Sequence, residues 1–599
     1  MYILGISCYY HDSAAALLKD GELIAAAEEE RFSRRKHDYS FPHHAIDFCL
    51  EQARIHPQDL DYVVFYEKPL LKFERILQTT LQTYPQSYAV FRESMITWFN
   101  EKLWIKSQIL TSLDLPEDRL LFVEHHLSHA ASALFCSPFA EAALLTVDGV
   151  GEWTTATIGN GTAHWPASDQ PMQNAIDLFG ETRFPHSLGL LYSAFTAFLG
   201  FRVNNGEYKV MGMAPYGEPN RVDDVYKLID VGRDGSFRLD MSYFTFHHST
   251  RSSFNQKFVD LFGEARVHDA DFYVPRMLPN PGKPHWDPAT ARVNQRYADI
   301  AASIQRVAEE TLLKMANYAH ERTGSKNLCM AGGVALNSVA NGRIARETPF
   351  EQIFIQPAAG DSGGALGAAL YAYHVMLGKP RAFTLEHAYY GKGYRPSEME
   401  SAIEASGYRF STVEDLEQRA MLIVDDLLAG KVVSLYQGRF EWGPRALGNR
   451  SILADPRSGS MKDKVNETIK YREPFRPFAP VVLEERAGDF YSGLEDSYDL
   501  YPLRYMLMVY PTKEGQGEKI QAVTHEGGTG RLQTVRREWN PLYYRAVELF
   551  GEATAVPVLL NTSYNLRGEP IVNTPENALN TFRKSELETL YMEQFVVRK

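Results

Sequence analysis

The pattern that most constrains this fold is a short apolar segment that runs into a break of glycine and polar residues, after which regular structure resumes. It opens the chain: residues 2–7 read as a strand, His11-Asp12-Ser13 as a break, and 14–18 and 22–27 as further strands joined by the hairpin signal Asp20-Gly21. A similar order returns at 142–165, where an apolar run meets Asp148-Gly149-Val150-Gly151 and a second strand ends at the Asn160-Gly161 turn. This is either a structural duplication or two hairpins drawing on the few sequences hairpins allow. After Pro42 a helix is predicted, with Ala45, Phe48, Cys49 and Ala53 on one face. The clearest helix spans 298–323 and is capped by Gly324. It leads into a strand at 327–331, then Gly332-Gly333 and a helix from Val334. The same shape follows at 353–355, Gly360-Asp361-Ser362-Gly363-Gly364 and a small-residue helix over 365–375. Strand, double glycine and helix form the geometry of a nucleotide site, because free backbone N–H groups and a helix N-terminus both favour phosphate. The pattern breaks at Leu377-Gly-Lys-Pro-Arg381, which places a domain boundary between 377 and 390 and predicts domains over 1–382 and 388–599. Residues 220–295 read as an insertion of low regularity.

Composition narrows the function. With 599 residues, 44% hydrophobic and 23% charged, the chain is globular and too long for a single small binding module. Its net charge of −13 opposes general attraction to nucleic acid or an anionic membrane. No apolar run approaches the roughly 20 residues of a membrane span, and the start Met1-Tyr-Ile-Leu-Gly-Ile lacks a signal peptide's basic opening and long apolar core. Cys8, Cys49, Cys136 and Cys329 form no CxxC pair, which fits a reducing cytoplasm.

His125 and His129 stand four residues apart, which on a helix sets both imidazoles on one face about 6 Å apart and turns His126 elsewhere. Alone, the pair fits a surface or capping feature as well as a metal site. Asp148 and Asp361, each expected at a glycine-rich turn after an apolar strand, can complete a His/carboxylate shell suited to iron, manganese or zinc. Gly149, Gly151, Gly332, Gly333, Gly363 and Gly364 offer N–H groups to a polyphosphate. Glu207 and Lys209 are candidate nucleotide contacts, although Glu207 reads equally well as an ordinary loop residue. Between 431 and 480 there are 10 Lys/Arg and 5 Asp/Glu, a local balance of +5 against the acidic whole. The runs Gln437-Gly-Arg-Phe-Glu-Trp-Gly-Pro-Arg445-Ala-Leu-Gly-Asn-Arg450 and Lys470-Tyr-Arg-Glu-Pro-Phe-Arg476 alternate charge with Gly, Pro and aromatic residues, which suggests a pocket for a small anion. Arg531, Asn561 and Ser563 add donors from further along.

Together these blocks resemble the O-carbamoyltransferase family of natural-product biosynthesis, which includes nodulation protein U and the cephamycin and tobramycin carbamoyltransferases. The resemblance spans nearly the whole chain. It rests on Gly5-Ile-Ser-Cys-Tyr-Tyr-His11-Asp-Ser-Ala, Glu29-Glu-Arg-Phe-Ser-Arg-Arg-Lys36-His-Asp, the His125/His129 pair, Val147-Asp-Gly-Val-Gly151, Pro185-His-Ser-Leu-Gly189, Ala331-Gly-Gly-Val-Ala-Leu-Asn337, 438–450, and Arg472-Glu-Pro-Phe-Arg-Pro-Phe-Ala-Pro480. It implies a mixed α/β chain. The N-terminal domain would be of the actin and sugar-kinase type, similar to the tRNA threonylcarbamoyl transferases, and the C-terminal domain would be YrdC-like. The second domain would form carbamoyl adenylate from carbamoyl phosphate and ATP, with Arg445, Lys470, Arg476, Arg531, Asn561 and Ser563 at its anion site. The first would transfer the carbamoyl group to a hydroxyl of a small acceptor at a metal held by His125, His129, Asp148 and Asp361. Iron(II) is favoured by the resemblance, and Mg2+ could accompany ATP. Asn337 joins the nucleotide set, while His11 and Lys36 match active-site positions, His11 as general base and Lys36 as counter-charge. The resemblance leaves a homodimer open. The rivals are a tRNA threonylcarbamoyladenosine-type enzyme, which the acidic charge and the fused domains oppose, and a non-catalytic nucleotide sensor, which needs only one site.

Overall fold

The computed structural model describes residues 1–166, 173–278, 283, 285–495 and 500–599. They form two compact units: Met1–Ile24, Tyr39–Pro42 and Ala53–Thr384 make the first, and Ala25–Asp38, His43–Gln52 and Leu385–Lys599 the second.

The first unit holds two five-stranded sheets. In one, β1 (Tyr2–Ser7) lies antiparallel to β2 (Ala14–Lys19) and parallel to β4 (Tyr62–Phe65), which is parallel to β5 (Leu120–Phe122). With β3 (Glu22–Glu28), inside which the unit boundary falls, the order is β3-β2-β1-β4-β5. The other sheet has β6 (Glu141–Val147) antiparallel to β7 (Thr154–Thr162), which is antiparallel to β8 (Ala175–Arg183). Also in it, β6 is parallel to β11 (Asn327–Ala331), which is parallel to β12 (Gln352–Ile355), and the order is β12-β11-β6-β7-β8. Both sheets therefore have their first strand at the centre, with the next two strands on one side and the last two on the other. Of the two readings of the repeated hairpin, the structure is a duplication, as the actin and sugar-kinase resemblance implies. The central strands read as near-continuous apolar runs because helices cover them.

The helix that follows the last strand differs from expectation in one respect. It starts at Asp361, runs to Tyr371, and is buried at every residue through Leu370. Asp361 is thus the first residue of a helix, and Gly363 and Gly364 lie inside it. A Cβ on Gly367 would stand 1.8 Å from the Ser128 carbonyl oxygen, and one on Gly5 would stand 1.8 Å from that of Ala365. Glycine lets this helix touch both the helix His125–Leu134 and strand β1.

The long helix runs from Pro288 to Thr323, ten residues earlier than expected. Asp287 caps it by accepting N–H groups from Ala289 and Thr290, and Gly324 ends it in the left-handed region. The segment 220–295 contains a short helix Val222–Tyr226, the hairpin of β9 (Ile229–Val231) and β10 (Phe237–Leu239), and a helix Gln256–Phe262. After Gly332-Gly333 a single 3-10 turn precedes the helix Ser338–Glu347, four residues later than the sequence suggested.

The second unit carries an eight-stranded mixed sheet. Its strands are β13 (Phe410–Thr412), β14 (Val433–Tyr436), β15 (Arg450–Ala454), β16 (Ala479–Leu483), β19 (Gln533–Val535), β20 (Val558–Ser563), β21 (Thr589–Met592) and β22 (Phe595–Arg598), in the order β13-β22-β21-β14-β15-β20-β16-β19. A separate pair joins β17 (Tyr510–Pro511) to β18 (Thr529–Gly530). Helices Leu416–Leu428 and Pro541–Thr554 supply much of the core with this sheet. Residues 25–38 belong here through two arginines, Arg31 buried and Arg34 half-buried. Arg31 donates to the carbonyls of Glu441 and Gly443, and Arg34 to those of Pro570 and Ile571. Lys36, expected within 1–382, is therefore part of the second unit. Among the described residues, no helix is long and apolar enough to cross a membrane.

Valine at Gly367 is expected to destabilise the first unit by about 3 kcal/mol or more, through overpacking against backbone. Gly180→Ala, whose Cβ meets Ile158 at 3.6 Å, is expected to shift stability by less than about 0.5 kcal/mol. Thermal unfolding of both variants checks the pair, and an unaltered Gly367→Val transition would contradict the helix crossing.

Candidate functional site

The first cluster draws on the two matching helices and on the turn after a central strand. His125 and His129 lie on the helix after β5, Asp361 opens the matching helix after β12, and Asp148 directly follows β6. His125 Nε2 is 3.0 Å from His129 Nε2, 3.2 Å from Asp148 and 3.7 Å from Asp361. His129 Nε2 is 3.9 Å from Asp148 and 3.6 Å from Asp361. Ligands about 2.1 Å from one ion stand about 3.0–3.4 Å apart in octahedral or tetrahedral order, so these spacings fit a shared cation. All four residues are buried. Among the described residues, neither Asp361 oxygen has a hydrogen-bond partner, an expensive state for a buried carboxylate unless a positive charge is supplied. The donor set fits a divalent metal.

His126 turns away, as expected, bonding Thr146 Oγ1 at 2.6 Å and the Thr154 carbonyl at 2.9 Å. Burial, and then the neighbouring imidazoles of His125 and His129, hold its pKa well below the ordinary histidine value. On the same cluster's edge, Tyr9 and Asp12 adopt left-handed φ values of 68° and 51°, local strain of the kind that collects at functional sites. Between them, His11 contacts Asp12 through Nδ1 at 2.9 Å and places Nε2 3.9 Å from Asp361.

The expected nucleotide residues divide. Gly149 is open, since a Cβ there would meet only the Tyr10 hydroxyl at 3.8 Å. The Gly333 N–H donates to Asp148 at 2.7 Å. Gly332, at φ +96°, packs against the Val147 carbonyl, and Gly151 against His125. Gly363 and Gly364 are packing residues: a Cβ would reach Gln356 Nε2 at 1.9 Å and Tyr66 at 2.8 Å. The Glu207 carboxylate accepts from the Ser193 hydroxyl and the Asn204 and Gly206 N–H groups. Lys209 lies 5.3 Å from the centre of the Phe201 ring. Asn337 caps its helix by accepting from Ala340 N–H and exchanges hydrogen bonds with Gln305.

The second unit gathers cations. Sequence reasoning missed the organiser, Glu441, whose buried Oε1 accepts N–H groups from Leu447, Asn449 and Arg450 and so shapes the loop that carries Arg445. A lone acid inside an arginine-rich, glycine-rich run was the available signal. Lys470 donates to the Ser563 carbonyl and hydroxyl and to the Asn565 carbonyl and side chain. Burial, then Arg472, Arg476 and Lys36, push its pKa well below the usual lysine value. Arg531 is likewise lowered by burial and then by Arg445, Arg472 and Arg476. The carboxylate of Glu473 stands 3.6 Å from Arg476. Ser563 also donates to Asn565 at 2.7 Å, while Asn561 donates to the Ala446 carbonyl and to Gln533, tying β20 to the Arg445 loop. Lys36, Arg445, Lys470, Arg476 and Arg531 thus belong to one electrostatic cluster, suited to an anion.

Residues 2–370 match the family described as carbamoyltransferase N-terminus, and residues 424–599 match carbamoyltransferase C-terminus. The chain belongs to the carbamoyltransferase family and is an enzyme of carbamoyl transfer. It is 45% identical to the uncharacterized protein sll1178 of Synechocystis sp., over 100% of this chain and 97% of that one. It is 35% identical to nodulation protein NolNO of Sinorhizobium fredii, over 99% and 79%. With nodulation protein U of Rhizobium tropici the identity is 28%, over 95% and 91%.

Burial, followed by repulsion from Arg531, lowers His525 to about 3. A histidine lowered on folding contributes stability above its unfolded pKa near 6.5, and that stability is lost as pH falls toward the folded value. Between pH 7 and 5 this site alone is expected to cost about 2 kcal/mol. Denaturant unfolding of the full chain should show that loss, and His525→Gln should remove it from the pH dependence. An unchanged slope would contradict a neutral His525.

Proposed function

We propose that the protein is an ATP-dependent O-carbamoyltransferase that activates carbamoyl phosphate as carbamoyl adenylate and passes the carbamoyl group to a hydroxyl of a small natural product. The observation that carries this reading is the convergence of His125, His129, Asp148 and Asp361 within ligand spacing, with His11 at the edge.

Carbamate is a poor electrophile until its oxygen becomes part of a good leaving group. In the second unit, Arg445, Arg476 and Arg531 would bind the phosphates of carbamoyl phosphate and ATP. Lys36 and Lys470 would strengthen the positive field that offsets charge as water converts carbamoyl phosphate to carbamate and inorganic phosphate, and a carbamate oxygen then displaces pyrophosphate from the α-phosphorus. In the first unit, the uncrowded turn at Gly149 would face the adenylate. A divalent metal, iron(II) by the resemblance, would be held by the four donors and would supply Lewis-acid charge. Asp12 would fix His11 through Nδ1, leaving Nε2 to take the proton of the acceptor hydroxyl as its oxygen attacks the carbamoyl carbon and AMP leaves. ATP would arrive with Mg2+. Four buried cysteines, none of them in a disulfide, support a reducing cytoplasmic setting.

With carbamoyl phosphate and ATP, mass spectrometry should detect carbamoyl adenylate from the full chain. Arg445→Ala and Arg476→Ala should lower its formation at least about 100-fold with metal content unchanged. His129→Ala should lose metal and acceptor transfer while still forming the adenylate. Full adenylate formation in both arginine variants would reject the activation site.

A further inference from the structure

Beside His11 lies a group of cations that the reading above does not use. The Tyr10 ring is 4.6 Å from the His11 ring and 4.8 Å from the Lys72 ammonium, so one side chain links the transfer centre to the helix Pro69–Gln82. Lys72 and Arg75 are one turn apart on that helix and both are buried, unlike the solvated face that a pair of helix cations usually forms. Among the described residues, Arg75 makes a single hydrogen bond, from Nη1 to the Gly151 carbonyl at 2.8 Å, and its guanidinium lies over Phe184. Lys102, half-buried, lies 5.9 Å from the centre of the Trp98 ring, and that ring packs 5.3 Å from Phe73 of the helix Pro69–Gln82, which sets Lys102 against the helix that carries Lys72 and Arg75. Burial and then repulsion from Lys72 lower its pKa to about 8, with Glu67 acting the other way and Arg75 adding to the repulsion.

The carboxylates nearby are already engaged. Glu67 is paired with Lys72 at 2.6 Å, and Glu152 accepts the backbone N–H groups of Lys68 and His125. Among the described residues, Lys102 has neither an ion pair nor a hydrogen bond. A cation partly withdrawn from water and crowded by like charges is stabilised by an anion from outside.

We propose that Lys102 and Arg75 bind an anionic group, phosphate or carboxylate, on the hydroxylated acceptor. Tyr10, against both Lys72 and His11, ties these cations to the centre where His11 deprotonates the hydroxyl. This rests on the proposed role of His11, and it narrows the acceptor class from any hydroxylated small molecule to an anionic one.

The test uses the full, metal-loaded chain with glucose 6-phosphate, glucuronate and glucose as probes. Trace acetylation followed by peptide mass spectrometry reads the reactivity of Lys102. Glucose 6-phosphate or glucuronate should slow its labelling several-fold and glucose should not; whichever anion protects assigns the site to phosphate or carboxylate. Equal labelling with all three overturns the proposal, whatever turnover shows. With carbamoyl phosphate and ATP present, product preference for the protecting anion over glucose should fall at least about tenfold in Lys102→Met and return in Lys102→Arg; a preference unaltered in Lys102→Met also overturns it. Absence of carbamoyl adenylate would instead count against the activation reading and leave the labelling result standing.

Discussion

The close crossing of the helices His125–Leu134 and Asp361–Tyr371 governs the first unit. Gly367 lies where any side chain would strike the Ser128 carbonyl, and Gly5 leaves the same room beneath Ala365. At that distance the imidazoles of one helix reach the first carboxylate of the other. Because these helices follow the last strands of two sheets with one topology, the duplication supplies the site: each half gives a helix, and the chain after each central strand gives His11 or Asp148. Convergence of four ligand atoms follows from backbone proximity that only glycine permits.

Two kinds of uncompensated charge mark the two units. In the first, the Asp361 oxygens are buried and, among the described residues, have no hydrogen-bond partner, and burial of a carboxylate is tolerated when a cation stands against it. In the second, Lys470 is buried and Arg531 half-buried among other cations, an arrangement that an anion relieves. Such opposite demands suit the proposed division of work, with a phosphorylated one-carbon donor in one unit and a metal-assisted transfer in the other. They also explain why a chain of net charge −13 holds a dense basic cluster.

Much of this was legible before any coordinates. The strand Asn327–Ala331 and the cap at Gly324 matched expectation, because an unbroken apolar run and a glycine after a periodic helix are local signals. The grouping of His125, His129, Asp148 and Asp361 was readable because helix periodicity aligns residues four apart and because a carboxylate at a strand's end has no packing rationale. Glycine was the ambiguous letter: Gly363 and Gly364 read as phosphate donors, yet they accommodate Gln356 and Tyr66, which only tertiary packing reveals. The long helix was read short since few of its first residues are buried, Ala291 and Asn294 among them, which blurs the apolar period. The membership of residues 25–38 in the second unit depends on Arg31 and Arg34 meeting carbonyls more than 400 positions away, and no local pattern announces that.

X-ray absorption at the metal edge of the purified full chain addresses the central claim most directly. The account predicts a bound divalent ion with two imidazole nitrogens and carboxylate oxygens at about 2.0–2.2 Å. A shell of oxygen alone, without imidazole scattering, would contradict it.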